Sequence, residues 1–165
     1  MLPPKLILVP IDFSDPSRAA LDAAVNMASR LGSEILLVHV VPAIPDLPKN
    51  VSIFKEGQYD ESLNEKAEKQ LKELADLLAQ KNIKARTQLG NANDVAMELI
   101  RIADSANADM IIIATHGMTG WRKIAFGSVA EKVVEEAECP VLVLRTKAAT
   151  GARDSRQAAS STKSN

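Results

Sequence analysis

Two stretches of this chain end an apolar run in residues able to hold a sugar or an anion. In the first, the apolar run 6–9 stops at Pro10-Ile11-Asp12. A carboxylate at the end of a strand can accept hydrogen bonds from hydroxyls such as those of a ribose. In the second, the run 110–114 gives way to Thr115-His116-Gly117, and Gly127-Ser128 follows just ahead of a helical pattern. A helix N-terminus presents unpaired N–H groups and a partial positive charge, which suit a phosphate. Glycine at 127 lets backbone approach such a group closely.

Each of these residues also has a purely structural account. Ser128-Val129-Ala130-Glu131 reads as a capping box, in which Ser and Glu satisfy the free N–H groups themselves. In isolation that cap is the simpler explanation. Gly117 after a strand is an ordinary turn residue. Asp12 could cap the helix that follows it, but Ser14 and Asp15 compete for that task. The surplus of caps favours a ligand role for Asp12.

The remaining chemistry-bearing residues form no constellation. His39 sits in an apolar strand, where a satisfied core histidine is commoner than a ligand. His116 lies in a loop with no identifiable partner, and Cys139 before Pro140 reads as a small buried hydrophobe. No His/Cys/Asp cluster has metal-ligand spacing. The Gly-rich fingerprints of P-loops and dinucleotide sites are absent, and no nucleophile elbow can be argued.

The elements that must position these residues follow from hydrophobic period and chain breakers. The continuous run 6–9 predicts a strand buried on both faces. Ser14-Asp15-Pro16 opens a helix whose stripe is Ala20, Ala24, Met27, Ala28 and Leu31, with Gly32 as its stop. Residues 35–40 form a second buried strand. Residues 41–60 carry Pro42, Pro45 and Pro48 without periodicity and read as a long loop. Leu63, Ala67, Leu71, Leu74 and Leu78 mark a long amphipathic helix, and 83–89 a third, more polar strand. After a turn and cap over 90–94, Val95, Leu99, Ile102 and Ala106 line another helix. A strand over 110–114, a helix over 128–137 and a strand over 141–144 complete the series. Residues 147–165 contain no Val, Leu, Ile, Met or aromatic residue and are expected to be a disordered tail.

Strands alternating with helices predict an α/β fold: one doubly wound, mostly parallel sheet with helices on both faces, within a single domain over 1–146. Ligands of such sheets bind beyond the carboxyl ends of the strands, where strand order reverses. With one Trp, one Tyr and three Phe, the core must be aliphatic. Twenty Lys plus Arg against 21 Asp plus Glu give a net charge of −1, which supplies no electrostatic footprint for nucleic acid or an anionic membrane. One cysteine fits a reducing cytoplasm. No run approaches the roughly 18 apolar residues of a membrane span. The first apolar run, broken by Pro10 and ended at Asp12, is no signal peptide.

Four stretches together resemble the universal stress protein family. They are Ile7-Leu-Val-Pro-Ile-Asp-Phe-Ser14, Leu37-Val-His-Val40, the segment from Gly117 to Ser128, and Gly127-Ser-Val-Ala-Glu-Lys-Val-Val134 leading to Cys139-Pro-Val-Leu-Val-Leu-Arg145. The resemblance implies five parallel strands in the order 3-2-1-4-5, with the switch point between strands one and four. ATP-binding members of that family carry Gly-x-x-Gly, nine residues, then Gly-Ser or Gly-Thr. Here Gly117 is followed by residues 118–126 and then Gly127-Ser128, while Ala114 stands in the first glycine position. By resemblance, Asp12 holds the ribose, and Pro10, Ile11 and Val40 line the adenine pocket. The strand end Ala114-Thr115-His116-Gly117 and the helix start Gly127, Ser128, Val129 and Ala130 surround the phosphates, with a Mg or Mn ion carried on them. The resemblance further implies a homodimer through strand 141–144. The expected function is an ATP-binding regulatory stress-response protein. The alternative is a homodimeric interaction or chaperone-like module that binds no nucleotide. A dedicated ATP hydrolase has little support, because no base or water-positioning residue is identifiable; slow turnover stays open.

Overall fold

Strand β1 (Leu6–Pro10) is the hub of the sheet, because Leu6, Ile7, Leu8 and Val9 are all buried. The computed structural model describes residues 3–42, 56–117 and 127–147. Strand β1 pairs with β2 (Glu34–Pro42) on one side and with β4 (Met110–Gly117) on the other. Strand β3 (Ala85–Ala92) lies beyond β2, and β5 (Val141–Lys147) beyond β4. All pairings are parallel and the order is β3-β2-β1-β4-β5. The switch point therefore falls between β1 and β4.

Helices α1 (Asp15–Leu31), α2 (Glu56–Gln80), α3 (Val95–Ala106) and α4 (Ser128–Glu136) cover the two faces. Ile7, Val9, Ile35, Leu37 and Ile112 pack with Ala20, Ala24 and Ala28 of α1 and Leu71 and Leu78 of α2. Leu6, Leu8, Leu36, Val38, Ile111 and Ile113 face the other way, onto Leu99 and Ile102 of α3 and Ala130 and Val133 of α4. Successive strand residues point to opposite faces, and here both faces are covered, so the strands read as continuous apolar runs.

Local signals fix most element ends. The Ser14 hydroxyl accepts from the Ser17 N–H at the start of α1, and Gly32 closes that helix at φ 72°. Asp94 caps α3 by accepting from the Met97 N–H. The Asp109 carboxylate accepts from the N–H groups of Lys5 and Leu6 at 2.8 and 2.9 Å, tying the start of β1 beside β4.

Several boundaries differ from the sequence reading, mostly because pairing carries a strand past its apolar run. β2 runs to Pro42 and β3 to Ala92, so Gly90 to Ala92 are strand partners of Val40 to Pro42, not a turn. β4 runs through Thr115, His116 and Gly117, paired with Arg145, Thr146 and Lys147. His116 is thus a strand residue, not a loop residue. β5 extends three residues past 144 and includes Lys147. The long helix begins at Glu56, inside the stretch read as a loop. Leu21 is buried at 7% exposure, whereas Leu31, assigned to the apolar stripe, is 44% exposed. Residues 43–55, 118–126 and 148–165, which include most of the proline-rich stretch and of the expected disordered tail, lie outside the described residues.

Gly90 has a packing role. A Cβ there would meet Glu98 Cγ at 2.9 Å and Ile102 Cδ1 at 3.2 Å, so glycine lets α3 lie close on β3. Gly90→Ala is expected to lower unfolding free energy by about 1–3 kcal/mol through overpacking. A urea titration checks this, and an unchanged midpoint would mean that α3 yields without cost.

Candidate functional site

A cavity of about 270 Å³ lies at the carboxyl ends of β1 and β4, near the lower end of volumes typical of small-molecule sites. Pro10, Ile11 and Asp12 enter it from β1 and the turn that follows. Val38, His39 and Val40 of β2 form one wall, and Ile113, Ala114 and Thr115 of β4 another. The first residues of α4, from Gly127 and Ser128 to Val129 and Ala130, complete the rim with Val95 and Leu99 of α3. The topology brings these segments together: β1 and β4 diverge at the switch point, and α1 and α4 start on opposite faces of the gap.

The chemistry of the cavity is set by two polar features on a mostly apolar lining. The first is Asp12. Its Oδ1 accepts from the Ser14 N–H at 3.0 Å and from the Ser14 hydroxyl. Partial desolvation works to raise the pKa of this carboxyl, but hydrogen bonds from Ser14 and Ser17 outweigh it and hold it below the ordinary value. Asp12 is therefore ionised at neutral pH. It does not cap α1, since Ser14 does.

The second feature is the start of α4. Gly127 is the N-cap, with φ −60° and ψ 143°, and its carbonyl accepts from the Glu131 N–H at 3.0 Å. Among the described residues no side chain caps this end. The capping box anticipated over Ser128 to Glu131 is thus not formed: Ser128 is already the first helical residue, one position too far along to cap. The first-turn N–H groups, at the cavity rim, meet no capping side chain among the described residues and can serve water or a ligand. A Cβ added at Gly127 would meet nothing within 4 Å.

Ten of the residues singled out in the sequence line this cavity. The other two, His116 and Gly117, are the last residues of β4. The nine-residue spacer between Gly117 and Gly127 lies outside the described residues. Thr115 is buried, and its carbonyl accepts from the Thr146 hydroxyl at 3.2 Å. Among the described residues, no group of three or more His, Cys, Asp or Glu side chains could hold a metal ion. No described helix is long and apolar enough to cross a membrane.

His39, read in the sequence as a satisfied strand histidine, also lines the cavity. It is half-buried, its Nδ1 lies 2.6 Å from the Ile11 carbonyl oxygen, and its ring sits 4.9 Å from that of Phe13. A lone polar residue in an apolar strand was the available signal, but its partners lie 28 residues away in the chain. Cys139 is half-buried against the α3–α4 side of the core, and desolvation pushes its thiol pKa up.

Comparison with known proteins gives concordant matches. The chain matches the model of the universal stress protein family over residues 4–145. It is 33% identical over 144 residues to universal stress protein MJ0531 of Methanocaldococcus jannaschii, covering 86% of this chain and 82% of that protein. The structure of the hypothetical protein MJ0577 of the same organism aligns with a TM-score of 0.73 at 28% identity, over 90% of this chain and 99% of that one. The universal stress protein of Archaeoglobus fulgidus in complex with dAMP shares the fold, with a TM-score of 0.58 at 20% identity over 87% and 98% of the two chains.

Proposed function

Since this chain belongs to the universal stress protein family, we propose that it is an ATP-binding regulatory protein of the stress response. It acts in the cytoplasm as a homodimer and holds the nucleotide at the switch point between β1 and β4. The observation that carries this reading is the uncapped N-terminus of α4 on the same cavity as an ionised Asp12. A triphosphate satisfies the first-turn N–H groups, and ribose hydroxyls donate to the carboxylate. Pro10, Ile11 and Val40 supply apolar surface for the adenine. Ala114, Thr115, His116 and Gly117 at the end of β4 and Gly127, Ser128, Val129 and Ala130 at the start of α4 surround the phosphates. A Mg or Mn ion is held through the phosphates. No residue is assigned a catalytic role. The dAMP bound to the Archaeoglobus fulgidus protein supports adenine nucleotides as the ligand class.

Calorimetric titration with ATP and Mg, alongside chromatography of any nucleotide released by denaturing the purified protein, tests the proposal. Asp12→Ala is expected to weaken ATP binding by about 1.5–3 kcal/mol, roughly 10- to 150-fold, through the lost charge-assisted bonds. Ala114→Gly keeps or improves affinity. A wild-type protein that gives no heat and releases no nucleotide sinks the proposal and leaves the nucleotide-free interaction module in its place.

A further inference from the structure

The turn that delivers Asp12 has a backbone conformation that its own sequence does not favour. Phe13 has a φ of 64°, in the left-handed region where a Cβ crowds the following carbonyl. The other described non-glycine residues with positive φ are Asn82 and Asn107, a residue type that tolerates the region. A phenylalanine there must be held by its surroundings.

His39 supplies two of the holding contacts. Its Nδ1 lies 2.6 Å from the Ile11 carbonyl oxygen. A carbonyl only accepts, so Nδ1 carries the proton and donates. The same ring lies against Phe13, with centroids 4.9 Å apart and planes tilted by 41°. The Ile11 N–H in turn donates to the Val38 carbonyl at 2.7 Å. Strand β2 thus grips residue 11 by both its backbone groups and residue 13 by its ring. Asp12 stands between the two grips, with Ser14 fastening its Oδ1.

We propose that His39 is a positioning residue for the nucleotide site: by holding Ile11 and Phe13 it aims the Asp12 carboxylate at the ribose hydroxyls. This rests on the nucleotide reading above. Because His39 acts through Asp12, its contribution vanishes when the carboxylate is removed. It also depends on the Nδ1–H donor more than on ring bulk, so the ranking of substitutions differs from that of a packing role. His39→Asn keeps a donor near the Nδ1 position; His39→Phe keeps an aromatic ring and cannot donate.

The test is calorimetric titration of wild type, His39→Phe, His39→Asn, Asp12→Ala and the His39→Phe/Asp12→Ala double variant with ATP and with 2′,3′-dideoxy-ATP, which lacks both ribose hydroxyls. His39→Phe lowers ATP affinity about tenfold, within the coupling range of residues in contact, while His39→Asn recovers most of it. The preference for ATP over the dideoxy nucleotide shrinks in His39→Phe. In the Asp12→Ala background the His39→Phe step changes affinity by less than about twofold. Wild-type affinity in His39→Phe, a weaker His39→Asn than His39→Phe, or full additivity with Asp12→Ala would overturn the proposal while leaving ATP binding intact. No ATP binding by the wild type sinks the nucleotide reading instead. The positioning claim is then judged on the ligand-free protein by NMR titration of the Asp12 carboxyl. Its pKa stays below the ordinary value in wild type and His39→Asn and rises in His39→Phe, and an unmoved value refutes the claim.

Discussion

Gly127→Asp abolishes ATP binding and leaves the protein folded. The backbone at Gly127, φ −60° and ψ 143°, is open to any residue, and a Cβ there meets no neighbour within 4 Å. Aspartate is moreover among the preferred N-cap residues, and its charge is favourable at a helix N-terminus. The variant helix α4 therefore gains a side-chain cap in place of glycine, worth about a few tenths of a kcal/mol, and its melting temperature holds or rises. The same carboxylate accepts from the first-turn N–H groups that would otherwise meet the phosphates. It also sets a negative charge beside them. Losing one charge-assisted bond costs about 1.5–3 kcal/mol, and like charges about 4 Å apart near a protein surface add up to about 4 kcal/mol. Together they exceed about 3 kcal/mol, or more than a hundredfold in affinity. Gly127→Asn, the same size without the charge, separates repulsion from occupancy and retains more binding than Gly127→Asp. Calorimetric titration with ATP and Mg reads both variants. If Gly127→Asp keeps wild-type affinity, the nucleotide sits elsewhere.

The fold was legible wherever a residue's own character decides its place. The runs over 6–9, 35–40 and 110–114 are apolar because helices cover both sides of each strand. Ser14, Gly32 and Asp94 mark helix ends by chemistry that acts over three or four residues. What escaped was decided by partners distant in sequence. Gly90, Asn91 and Ala92 have poor strand propensity, yet β2 holds them in register. Thr115, His116 and Gly117 look like a loop until β5 pairs with them. At α4 the error was local: Gly-Ser before a helical pattern allows either residue to be the cap, and the backbone chose Gly127. The site itself was partly visible through Asp12 and the Gly127-Ser128 step. The grip proposed for His39 and Phe13 was not, because it rests on a carbonyl 28 residues from one and a left-handed φ at the other.

Leu142→Lys turns the proposed homodimer into monomers. Strand β5 pairs with β4 alone among the described strands and forms one edge of the sheet. Such an edge presents unpaired N–H and C=O groups, and here it is also apolar, with Leu142 36% exposed. Helix α4, which packs on β4 and β5, exposes Val134 at 45%. An apolar edge of this kind is an association hazard unless something covers it. A two-fold axis beside β5 lets each copy cover the other with the same surface, which is why a closed dimer is the expected solution. Val143 is a poor probe of that interface, because it packs against the α3–α4 side of the core and a lysine there threatens the fold. Leu142 is already solvent-accessible in the single chain, so its replacement by lysine leaves the protomer intact. In an isologous contact the substitution enters twice and buries two like charges near the axis. A loss of at least about 3 kcal/mol, or a hundredfold rise in the dimer dissociation constant, follows for two uncompensated charges. Sedimentation velocity at micromolar concentration shows the wild type as dimer and Leu142→Lys as monomer with unchanged circular dichroism. A monomeric wild type, or a variant that dimerises as tightly as its parent, removes β5 as the interface.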